Sequence, residues 1–153
     1  MDTLALIWTA APDFKVKLLL LAMAAQMALT IKCYMQMSDA RVSAAKAGRV
    51  TTDMYKSTDN EPEDLRVYTR AVANQFELPV MFYAIIIAGI AASMSSWISV
   101  VLAWLFVFLR YLHVQEMLAT NVLKRRKVFI YGMQVFLLMA LDFIVSILFF
   151  ATA

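Results

Sequence analysis

Long apolar segments recur in a short chain, and this constrains the fold more than any other feature of the sequence. Runs at about Val16 to Met37, Arg70 to Ile90, Trp97 to Met117 and Val128 to Phe150 each supply the roughly 20 mostly apolar residues that cross a bilayer core. A lipid phase offers no hydrogen-bond partner to bare backbone, so segments of this kind cross it as helices. With 63% of its 153 residues hydrophobic and a mean hydropathy of +0.71, the chain reads as an integral membrane protein rather than a water-soluble domain. The arrangement expected is all-α: one membrane domain over residues 1–153, with four transmembrane helices in an up-down bundle.

Between the spans the sequence is uneven. Residues 3–11 are apolar but too few to cross, and are expected at the interface or as an extension of the first helix kinked near Pro12. The start lacks a basic region and its apolar run is cut by Pro12-Asp13, so a cleavable signal is not expected. Over about residues 38–69 the chain turns polar and reads as a solvated loop with helix allowed at its ends, and a turn is expected where Ser57, Asp59, Asn60 and Pro62 cluster.

Single polar residues inside the spans carry local expectations. Gln26 reads as a hydrogen-bonder between helices and Asp142 as an acid paired with a polar group on a neighbouring helix. Pro79 is expected to bend the second span or free a backbone carbonyl. The only cysteine, Cys33, excludes an internal disulfide, and with a lone His113 it gives no metal set.

Charge sets orientation. The loops after the first and third spans hold most of the arginines and lysines, outnumbering Lys15 and Lys17 at the opposite side, whereas the link between the second and third spans and the C-terminal end hold none. By the positive-inside rule both charged loops face the cytoplasm and both termini face away from it. The net charge of +3 thus reports topology and gives no ground for nucleic-acid binding.

A polar constellation follows from that topology. If the entry to the second span is helical, Arg70, Asn74 and Glu77 fall on one face by their i, i+4, i+7 spacing. The end of the third span and the start of the fourth place Arg110, Tyr111, His113, Arg125 and Arg126 at the same depth. Charged groups at the edge of hydrocarbon are costly unless paired or holding a polar ligand. A basic, amide-bearing site suits a small anionic, peptide-like molecule, with arginines forking its carboxylates. The plainer alternative is that these arginines reach to lipid phosphates and the amide ties helices together.

At these residues the sequence resembles the MAPEG family, the membrane-associated proteins in eicosanoid and glutathione metabolism, in a bacterial-type form. The resemblance rests on Arg70-x-x-x-Asn74-x-x-Glu77-x-Pro79, on Arg110-Tyr111-x-His113, and on Arg125 followed by Phe129 and Gly132. It implies a homotrimer of four-helix subunits in the bacterial inner membrane, in contact with membrane lipid, with glutathione as co-substrate between adjacent subunits near the cytoplasmic face. Arg70, Asn74, Glu77 and Tyr111 are then expected to bind glutathione. Arg125, or Arg126 beside it, is expected to stabilise the thiolate.

Leu78 and Gln115 depart from the family, standing where characterised glutathione-using members often carry tyrosines. The function implied is a glutathione-dependent transferase or peroxidase acting on a small lipophilic electrophile. The alternative is a non-catalytic subunit that keeps the scaffold and binds lipid or a partner protein.

Overall fold

The computed structural model describes residues 13–51, 53–54 and 61–150. The expectations for residues 3–11 with a kink at Pro12, and for a turn through 57–60, lie outside the described residues. Five α-helices follow in order: α1 (Phe14–Lys46), α2 (Glu63–Ala73), α3 (Leu78–Ala91), α4 (Trp97–Leu118) and α5 (Val122–Phe150). Taken with α2 and α3 as one crossing, they give four segments long and apolar enough to span a membrane. The protein is therefore an all-helical, four-span membrane protein, as its hydropathy predicts.

The second crossing departs from expectation in its geometry. It is not one continuous helix: α2 stops at Ala73, residues 74–77 form a turn, and α3 starts at Leu78 with Pro79 in its first turn. Proline has no N–H to give and its ring collides with the carbonyl four residues back, so the helix ends ahead of Pro79 and a new one begins. Tight bonds close α2, from Gln75 N–H to the Val72 carbonyl at 2.9 Å and from Phe76 N–H to the Ala73 carbonyl at 3.0 Å. Glu77 sits at φ −97°, ψ −104°, so the expectation that it continues the helical face of Arg70 and Asn74 is corrected. The 14 residues of α3 rise only about 21 Å at roughly 1.5 Å each, short of the ~30 Å core. Both halves are needed to cross.

The polar boundaries shift as well. α1 continues to Lys46 through the Ala-rich run Asp39-Ala-Arg-Val-Ser-Ala-Ala-Lys46, and α5 begins at Val122, so the basic residues from Lys124 to Lys127 are helical. Three helix ends share one closing motif, in which the residue after the cap turns left-handed and two N–H groups return to orphan carbonyls. At α1 that residue is Gly48 (φ 67°). At α3 and α4 it is Ser93 and Thr120, both at φ 57°.

The core lies where α1, α3, α4 and α5 meet around Phe82 and Phe106, whose rings stack at 4.6 Å. Three polar ties cross it. Gln26 Nε2 donates to Gln75 Oε1 at 3.0 Å in full burial, joining α1 to the turn after α2 as its sequence position predicts. Ser99 Oγ donates to Asp142 Oδ2 at 2.6 Å, which gives the acid in α5 its partner on α4. At the polar end, buried Glu61 accepts from Arg41 Nε at 2.8 Å and from Thr69 Oγ1 at 2.6 Å, fastening the start of α2 to the extension of α1.

A candidate basic cleft at the helix break

The turn at residues 74–77 frees backbone carbonyls within a crossing segment, and the fold answers with a buried cation. Arg110, on the face of α4 turned inward, is only 2% exposed. Its Nη2 donates to the Asn74 carbonyl at 2.7 Å. Asn74 is held from its side chain too, because its Nδ2 donates to the Arg70 carbonyl at 2.8 Å and lies 3.9 Å from Met117 Sδ.

Beside this turn opens a cleft of about 520 Å³ lined by Arg70, Asn74, His113, Met117, Val122, Arg125, Arg126 and Phe129. Helix α2 supplies Arg70, α4 supplies His113 and Met117, and the first turns of α5 supply Val122, Arg125, Arg126 and Phe129. Three elements far apart in sequence, with the turn at Asn74, thus bring three arginines and an amide to one hollow. The volume falls within the few hundred to about 1,000 Å³ common for small-molecule sites.

Its charges are differently engaged. Arg70 is half exposed and its Nη1 lies 3.6 Å from Glu63 Oε1, a loose surface pair of small net worth. Arg125 is half-buried and Arg126 exposed. The Arg125 carbonyl lies 3.3 Å from His113 Nδ1. A carbonyl only accepts, so this contact selects the tautomer carrying hydrogen on Nδ1. Nε2 of the same ring is buried and has no partner among the described residues.

Of the residues singled out from sequence, Arg70, Asn74 and Arg125 share the cleft, and Arg126 and His113 join them. Glu77 and Tyr111 do not line it. Glu77 is exposed at the last position of the turn. Tyr111 lies on another face of α4, where Lys32 Nζ sits 5.3 Å from the centre of its ring. The apolar wall of Met117, Val122 and Phe129 was not foreseen, because apolar residues at a span's end carry no signal until the neighbouring helix is known. The role of Arg110 was half legible: Pro79 implied a freed carbonyl, but the sequence placed Arg110 only among the basic residues at that depth, and the fold alone joins the two. Among the described residues no three His, Cys, Asp or Glu side chains gather as metal ligands do.

Comparison with known proteins bears on this arrangement. The family model described as "MAPEG family" matches residues 19–145, which takes in α1 from its second turn, the broken crossing, α4 and most of α5. No curated protein and no solved structure gave a match. A match over so much of the chain decides the family, and the protein belongs to the MAPEG family.

Proposed function

We propose that this protein is a membrane-bound, glutathione-dependent enzyme of transferase or peroxidase type that acts on lipophilic electrophiles. The observation that carries the reading is the convergence of Arg70, Asn74, Arg125 and Arg126 from separate elements on one cleft at the end of the bundle. A tripeptide thiol with two carboxylates suits that hollow. Arg70 forks a carboxylate once released from Glu63, and the Asn74 amide, at the helix break, bonds the peptide backbone.

Arg125 carries the chemistry. A thiol reacts as its thiolate, and a guanidinium in a poorly solvated wall favours that anion. Arg125 is the less exposed of the two adjacent arginines, which favours it over Arg126. In transfer, the thiol proton leaves to solvent and the sulfur lone pair forms a bond to an electrophilic carbon while the leaving group departs with its electron pair. The cleft lies at the end of the spans carrying the basic loops, so the reading places it at the cytoplasmic face of a bacterial inner membrane, with both termini on the other side. In the working homotrimer Glu77 and Tyr111, which lie outside the cleft of one protomer, meet the ligand from the seam between subunits.

The test is titration of detergent-solubilised protein with glutathione, followed by calorimetry and by ultraviolet thiolate absorbance. Saturable binding is expected, weakened roughly 10- to 100-fold in Arg70→Ala, the range for a lost charge-assisted hydrogen bond. Thiolate absorbance should vanish in Arg125→Ala and persist in Arg126→Ala. Absence of saturable binding by the wild type would sink the enzyme reading and leave a non-catalytic subunit.

A further inference from the structure

We infer that Arg110 is a positioning residue for the cleft: it acts on ligand through the Asn74 backbone and touches no ligand itself. The inference rests on the proposed binding of glutathione in the cleft. Arg110 does not line the cleft and is 2% exposed, so contact with a bound molecule is closed to it. Its one described hydrogen bond runs from Nη2 to the Asn74 carbonyl at 2.7 Å, and its Nε is buried without a partner among the described residues.

A buried guanidinium is costly in a crossing segment, and a greasy residue of similar length would fill the same space more cheaply. What the guanidinium adds is a rigid donor aimed at the one carbonyl whose position sets the turn. The Asn74 carbonyl stands where the helical ladder of the second crossing is interrupted ahead of Pro79. Left without Arg110, that carbonyl would seek another donor and the 74–77 turn would rotate. The Asn74 side chain would then be held by its tie to the Arg70 carbonyl alone, and its amide would lose the orientation that the two ties set together. Two ties therefore fix Asn74, one through its backbone and one through its amide, and the cleft receives the amide in a set orientation. A charged donor forms the stronger kind of hydrogen bond, which suits a task of holding rather than binding.

The experiment is a double-mutant cycle read as glutathione affinity in detergent. Arg110→Met should weaken binding about tenfold, the size of one well-made hydrogen bond. In an Asn74→Ala background the same change should have almost no further effect. In an Arg70→Ala background it should keep its full tenfold effect. Arg110→Gln, which retains a donor for the carbonyl, should recover part of the loss and serves also if the methionine variant does not fold. Equal losses in all three backgrounds would mean a general structural role and overturn the inference, as would wild-type affinity in Arg110→Met. Failure of the wild type to bind glutathione at all strikes the proposed function instead, so the two failures are separable.

Discussion

Thr120 is held at φ 57° in the left-handed region, where a side chain crowds its own backbone and a β-branched one is out of place. It remains there because the turn it makes closes α4, with Thr120 N–H returning to the Met117 carbonyl at 3.0 Å and Asn121 N–H to the Glu116 carbonyl at 3.0 Å. Asn121 then caps α5, its Oδ1 accepting from Lys124 N–H at 3.2 Å. One tight corner thus sets where α5 starts, and so where Arg125 stands. Replacing Thr120 with glycine removes the crowding and should stabilise the fold by about 1 kcal/mol, seen as a higher melting temperature in detergent with the cleft unchanged. A lower melting temperature would show that the threonine makes a contact that outweighs its strain.

At the scale of elements, the buried tie between Gln26 and Gln75 links α1 to the turn at the break. Gln26→Leu leaves Gln75 Oε1 buried without its donor, and should cost roughly 1–3 kcal/mol. Adding Gln75→Leu should return part of that loss, because it removes the orphaned Oε1, although the Ala71 carbonyl then loses the Gln75 Nε2 donor at 3.0 Å. The check is denaturation of both variants in the same micelle; if the double variant is no more stable than the single one, the pair does more than satisfy itself.

The four spans were legible from the sequence because hydropathy over some twenty residues is decided by lipid alone. The extension of α1 to Lys46 was legible only as helix allowed at the loop's ends, since Ser38 to Lys46 lies beyond the apolar run and owes its helix to Ala-rich propensity and to packing of Ala44 beside Val50 and Leu65. Pro79 announced an interruption, yet not that Arg110 would donate to the Asn74 carbonyl freed there, a contact 36 residues apart in sequence. Arg70, Asn74 and Arg125 were visible as a set because the topology brings the span ends that carry them to one depth, where charged groups are costly unless paired or holding a ligand. Tyr111 faces away from the cleft of its own protomer, because one residue along a helix swings a side chain by about 100° from Arg110.

For the molecule as a whole, orientation and assembly are open to direct measurement. In a Cys33→Ala background, Ala47→Cys should react with an impermeant maleimide only from the cytoplasmic side and Ala92→Cys only from the opposite side; both positions are exposed. Labelling in the reverse sense would invert the proposed topology. Native mass spectrometry in mild detergent should give a trimer for the wild type, and a monomer would remove the seam to which Glu77 and Tyr111 are assigned. The broken second crossing has a consequence of its own at this scale. With α3 anchored among the core aromatics and α2 fastened to the far reach of α1, the end that lines the cleft and the end that packs the core are separate pieces joined by a short splice. Under the proposed function, substitutions in the upper piece would change what is bound while the packing of the lower piece in the core stays in place.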